Sequence, residues 1–104
     1  MPRGENKTTA KVMGAVLYTE AASFGLETPE WWDWLAGEEH TTFYVETNEG
    51  TFTARRELRS GRLYWYAYRK YRGKLVKLYL GKTEELTKVR LSEVSRQMAD
   101  EVGA

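Results

Sequence analysis

From Thr41 onward apolar and polar residues alternate with a period of two, and three glycine-bearing interruptions cut the alternation into four strands. The strands are expected at Thr41–Thr47, Thr51–Leu58, Leu63–Tyr71 and Leu75–Leu80. The turns fall at Asn48-Glu49-Gly50, Arg59-Ser60-Gly61-Arg62 and Arg72-Gly73. Loops this short imply an antiparallel meander. Parity then sorts two faces. Phe43, Val45, Phe52, Ala54, Trp65, Ala67, Val76, Leu78 and Leu80 share one face, almost wholly apolar, and are expected to form the core. Thr53, Arg55, Tyr64, Tyr66, Tyr68, Lys70, Leu75, Lys77 and Tyr79 share the other.

Helical signals bracket the meander. Thr28-Pro29-Glu30 reads as a helix start, with a capping threonine, a proline suited to the first helical position and an acid at the positive end of the dipole. The short helix should run to about Ala36 and stop at Gly37. Trp31, Trp34 and Leu35 would dock it on the sheet. Trp32 lies off that face, where it offers a protein-interaction anchor. After Gly81, Leu86, Leu91, Val94, Met98 and Val102 recur at helical steps, so a C-terminal helix capped by Thr87 should lie across the core face. Lys88 and Arg90 near its start oppose the helix dipole, a conflict that a docked phosphate would relieve.

Two segments give weaker patterns. Val12 to Phe24 is ambiguous: Val12, Met13, Val16 and Leu17 fit a helix, whereas Gly14, Thr19, Ser23 and Gly25 oppose one. Residues 1–11 lack apolar periodicity and are expected to be a flexible arm, and residues 1–26 to contribute mostly mobile chain. The expectation is α+β: a three- or four-stranded antiparallel sheet, a C-terminal helix packed on one face, and a short Trp-rich N-terminal helix. Residues 12–104 would form one domain, since 104 residues suffice for a single modest core.

Charge changes this picture from a fold to a surface. Residues 55–82 hold ten bases and one acid, Glu57, for +9, together with five of the seven tyrosines. Residues 1–54 hold three bases against nine acids, for −6, and residues 83–104 carry −2. The overall +1 thus conceals a dipolar molecule. Tyrosines interleaved with Arg and Lys on a face nearly without acids suit phosphates, sugars and base edges. The competing reading is that tyrosines favour strands while the cations keep the face wet, but a merely soluble face would mix both signs.

Other chemistries find little support. With no cysteine, disulfides, thiolate metal sites and cysteine nucleophiles are excluded, and a reducing, cytoplasmic setting is the expectation. His40 is the only histidine, so Glu38-Glu39-His40 reads as a linker rather than a metal site. No histidine-based triad or phosphate-binding strand-to-helix loop is recognisable. Glu57 reads as a surface ion pair with neighbouring arginines. No enzymatic activity, cofactor, small-molecule substrate or membrane span is expected.

Trp65-Tyr66, Arg69-Lys70, Gly73-Lys74, Tyr79-Leu80-Gly81 and Leu86-Thr87, followed by a helix, resemble the arm-type DNA-binding domain of phage and mobile-element tyrosine recombinases. With Trp34-Leu35, Thr41 to Phe43 and Phe52-Thr53-Ala54-Arg55 added, the pattern is similar to a segment of some bacterial LuxR-type regulators. The first resemblance implies three antiparallel strands backed by a helix, with the sheet inserted into the DNA major groove. The Arg, His and Tyr set of strand-exchange chemistry is not carried over.

Together these readings point to a non-catalytic DNA-binding protein, a regulator or accessory factor of a bacterial mobile element. Arg62, Lys70, Arg72, Lys74 and Lys82 are expected to hold phosphates, and Arg55, Tyr66, Tyr68 and Lys77 to face the groove. One alternative is a module for RNA or single strands that stacks bases on the tyrosines. Another is a protein-interaction adaptor or phage-type inhibitor using the basic sheet and the Trp helix.

Overall fold

The computed structural model describes residues 10–103, with side chains as far as residue 101. Residues 1–9 of the expected arm, and the side chain of Val102, lie outside the described part. The element order is β1 (Lys11–Met13), β2 (Val16–Tyr18), β3 (Ser23–Gly25), α1 (Pro29–Ala36), β4 (Thr42–Thr47), β5 (Gly50–Arg59), β6 (Arg62–Tyr71), β7 (Lys74–Gly81), a 3₁₀ turn at Thr83–Glu85, and α2 (Lys88–Gly103).

All seven strands join one sheet in the order β3-β2-β1-β4-β5-β6-β7. Its neighbours are antiparallel except β1 and β4, which run parallel. The protein is therefore α+β, but a three- or four-stranded antiparallel sheet is an undercount, and the sheet is mixed. The missing strands lie in the ambiguous stretch. Val12 and Leu17 face each other across a two-residue hairpin, and both are buried. Their sequence spacing mimics a helix because the chain reverses between them. Gly14 makes that reversal with a φ of +64°, which an L side chain adopts at a cost.

This hairpin also overturns the expectation that residues 1–26 are mostly mobile chain. Lys11 starts a strand, and Ala10, Val12, Leu17 and Leu26 all enter the core.

The meander follows its expected parity. Phe43, Val45, Phe52, Ala54, Trp65, Ala67, Val76 and Leu80 are buried, and Leu78 packs partly buried beside them. The helices cover this face. Trp31 meets Phe43 edge-on with ring centroids 5.6 Å apart, and Phe43 meets Trp65 at 5.2 Å. Neither indole leaves an orphan N–H. Trp31 Nε1 donates to the Leu86 carbonyl at 3.0 Å, and Trp65 Nε1 to Thr83 Oγ1 at 3.1 Å.

Helix ends are closed by side chains. Thr28 Oγ1 accepts from the Trp31 N–H at 3.3 Å, and Thr87 Oγ1 from the Arg90 N–H at 3.1 Å. The Arg56 guanidinium reaches the carbonyls of Leu35, Gly37 and Glu38, which serves α1 in place of a basic residue in its last turn. A phosphate is not needed at α2. The Glu27 carboxylate already takes the Lys88 N–H at 2.9 Å, while Arg90 turns back onto the Leu80 and Tyr79 carbonyls, each at 2.8 Å. Among the described residues no helix is long and apolar enough to cross a membrane.

Candidate nucleic-acid interface

With both helices on one face, the sheet presents its other face bare. On β6 this face carries Arg62, Tyr64, Tyr66, Tyr68 and Lys70, because alternate residues of a strand point the same way. Register then sets the neighbours. Tyr68 lies between Thr53 of β5 and Lys77 of β7, Tyr66 between Arg55 and Tyr79, and Tyr64 beside Glu57. The N-terminal strands widen the surface, since Tyr18, Lys11, Tyr44 and Thr53 stand side by side on β2, β1, β4 and β5.

Cations lie against the rings. Lys77 Nζ sits 4.5 Å from the Tyr66 centroid and 5.3 Å from that of Tyr68. The Arg55 guanidinium lies 5.6 Å from Tyr68, and that of Arg59 lies 5.4 Å from Tyr66. These contacts hold long side chains in place and lower the entropy a ligand must remove. They also occupy ring surface that an unpaired base would use. Tyr79 stays a neutral phenol, its pKa raised chiefly by burial and then by the Glu85 carboxylate.

Toward the Ser60-Gly61 turn stands Glu57, three-quarters buried at its side chain. Its Oε1 accepts from Arg59 Nη2 at 2.7 Å and from Lys77 Nζ at 3.2 Å, and its Oε2 accepts from the Tyr68 hydroxyl. The hydrogen bond from Arg59 is the main reason its carboxyl is held below the usual glutamate range. Lys77 adds to this, and desolvation opposes it. The expected pairing with arginine is thus one part of a hub joining β5, β6 and β7.

The structure brings Arg55, Tyr66, Tyr68 and Lys77 together, and leaves the remaining candidates around them. Lys70 shares the face and pairs in register with Leu75. Arg62 opens β6 after one hairpin turn, and exposed Lys82 lies toward the same end, just past the Gly81–Trp65 pair. Arg72 and Lys74 bracket the turn at the other end. Arg62 and Tyr71, the two ends of β6, are nine steps apart, or about 30 Å in an extended strand, and Arg72 follows in the turn. Trp32 is half-buried against the core, its ring 6.4 Å from Trp31, rather than standing free as an anchor. His40 stacks on Trp34 at 4.2 Å, and its Nδ1 donates to the Trp34 carbonyl at 2.6 Å. Among the described residues no three His, Cys, Asp or Glu side chains gather into a metal site.

Sequence reasoning missed Lys11, Tyr18 and Tyr44 as parts of the face, and Glu57 as its hub. The first omission had a signal: buried Val12 and Leu17 flank an apolar hairpin with Gly14 at its turn. The second had only the isolation of one acid among ten bases. Comparisons with family models, curated proteins and solved structures each found no match.

Proposed function

We propose that this domain binds duplex DNA, without catalysis, along its bare sheet face. One observation carries the reading: the cations of β6 and its turns gather at the two ends of a ten-residue strand, about 30 Å apart when extended, with tyrosines between them. A B-DNA turn is about 34–36 Å, so a duplex lying along β6 presents nearly the same side of one groove to the two turns that flank the strand. Arg62 and Lys82 serve one end, and Lys70, Arg72 and Lys74 the other. Arg55 and Lys77, held on tyrosine rings, face the DNA between them.

The arm-type resemblance implies insertion of a three-stranded unit; insertion of this whole sheet is the wrong geometry. Seven strands span roughly 29 Å, and the major groove is about 12 Å wide. The protein therefore straddles the backbone, with a hairpin tip as the part that fits a groove. A role as a regulator or accessory factor of a bacterial mobile element is consistent with that resemblance.

The test is a salt titration on duplexes of two lengths. Each neutralised phosphate contributes roughly 0.9 to the slope of log affinity against log salt. A duplex of about 16 base pairs spans both ends, whereas one of about 7 reaches only one, at roughly 3.4 Å per pair. The longer duplex should show the steeper slope, and K70Q/K74Q should lower that slope while leaving the short duplex a binding end at Arg62. Equal slopes for the two lengths would reject the two-ended clamp.

A second reading rests on the row Tyr18, Lys11, Tyr44, Thr53, Tyr68 and Lys77, in which Tyr18 and Tyr44 are 46% and 39% exposed. Such a row suits bases of a single strand stacked across the sheet. Stronger competition by single strands than by duplex, lost in Y18A/Y44A, would favour it.

A further inference from the structure

Three donors from three strands converge on one carboxylate. Arg59 of β5, Tyr68 of β6 and Lys77 of β7 all donate to Glu57, on a surface whose charge otherwise repels cations and gathers anions. A guanidinium, an ammonium and a phenol around a pair of oxygens form the donor set of an oxyanion site. The register explains the convergence. Lys77 and Tyr68 are cross-strand partners, and Glu57 lies two residues beyond Arg55 on the same face of β5.

We propose that Arg59, Tyr68 and Lys77 form a phosphoryl-binding site that Glu57 fills as an internal stand-in for the ligand. A phosphate group that displaces the carboxylate gains the same donors, already placed and half desolvated. Glu57 then swings toward solvent, where its remaining charge repels the incoming anion. The exchange weakens binding to any anion that cannot replace the carboxylate oxygens well. Glu57 is therefore a filter against indiscriminate polyanion binding, and its loss converts a filled site into an open one. As a filter on DNA the inference rests on the duplex reading; as an oxyanion site it stands on the local geometry alone.

The test uses the full chain with Glu57→Gln, which keeps the shape and one acceptor oxygen but removes the charge. Glu46→Gln is the charge-matched control, because Glu46 lies on the same face and, among the described residues, pairs with Lys11 at 3.5 Å. Pyrophosphate is titrated while the amide and Tyr ring signals are followed by NMR. E57Q should bind it roughly fivefold more tightly than wild type, about the upper worth of a surface ion pair, with the shifts centred on Tyr68 and Lys77. E46Q should show a smaller gain, and the gain of E57Q should vanish in E57Q/K77Q.

On a duplex of about 16 base pairs, E57Q should steepen the salt slope by roughly 0.9, one added phosphate contact. If E57Q and E46Q gain equally, or the gain survives K77Q, the effect is bulk charge and the site is rejected. If pyrophosphate behaves as proposed but neither protein binds duplex, the oxyanion site stands and the duplex reading falls. If duplex binds both proteins with one slope and pyrophosphate does not distinguish them, the reverse holds. Should E57Q lose its thermal transition, Y68F is read instead: it removes one donor, so pyrophosphate bound at high concentration must weaken, and no change overturns the site.

Discussion

The two ends of β6 are built alike and are charged differently. Each closes on a two-residue turn with positive φ at both positions, Ser60-Gly61 at one end and Arg72-Gly73 at the other. Each is rich in cations. At the Ser60 end, however, Arg56 is spent on α1 and Arg59 on Glu57, whose carboxylate also draws in Lys77 from opposite Tyr68, farther along the face. At the Arg72 end no carboxylate pairs with Lys70, Arg72 or Lys74 among the described residues, and Arg69 and Arg72 both lie against the Tyr71 ring, at 6.0 and 5.3 Å. A count of basic residues therefore overstates one end of the surface. What a ligand meets is the charge left after the fold has used its share.

The ends also differ in how they are anchored, and the largest expected effect tests that. Toward Ser60, β5 and β6 continue as a pair past the end of β7, whose register with β6 shifts between Trp65 and Tyr66, beside fully buried Trp65. Trp65→Ala deletes that ring and orphans Thr83, so a loss of about 3–5 kcal/mol is expected in chemical denaturation. Val76 holds the Arg72 end, and Val76→Ala should cost roughly 2 kcal/mol. Tyr66→Ala, next to Trp65 but on the open face, should leave the transition close to wild type while weakening nucleic-acid binding. If Tyr66→Ala were the worst of the three, the two faces would be exchanged.

Much of this architecture was legible in the sequence, for reasons that particular residues show. Long strands such as β5 and β6 contain enough alternations to declare their parity, so Phe52, Ala54, Trp65 and Ala67 sort correctly. Thr28 and Thr87 declare their helices because capping is local chemistry. The three-residue strands β1, β2 and β3 contain too few positions to show a period. The parallel pairing of β1 with β4 joins residues more than thirty positions apart, with no short-range signal. The tyrosine and cation stripe was legible through parity, but Glu57 as a hub was not. Its partners Tyr68 and Lys77 come from other strands, and their convergence depends on register.

Acid offers a smaller and more local comparison of the ends. A carboxylate whose folded pKa is depressed contributes stability that is complete above its unfolded value and is lost as pH falls through the folded one. Glu57 is such a group, held low mainly by Arg59. The thermal transitions of wild type and E57Q should therefore differ by a constant amount above the ordinary glutamate range, and converge only as pH falls through and below it. The same series on R72Q should show no such convergence, because no carboxylate pairs with Arg72 among the described residues. A difference between wild type and E57Q that grows as pH falls would contradict the pairing.

The smallest expected effect separates turn geometry from charge. Ser60 and Arg72 hold φ at 53° and 51°, left-handed values that cost an ordinary L residue about 1 kcal/mol and that asparagine tolerates better, as in hairpin turns of the Asn-Gly kind. Ser60→Asn and Arg72→Asn should each raise stability by a few tenths to about 1 kcal/mol, since glycine already follows both positions. In thermal melts the two substitutions should thus look alike. In a duplex titration they should part, because Ser60→Asn removes no charge whereas Arg72→Asn removes a cation that meets no carboxylate among the described residues and should lower the salt slope by roughly 0.9. If both variants melt higher but bind DNA as wild type does, the Arg72 end is a turn and not a contact, and the two-ended placement of the duplex along β6 fails at that end.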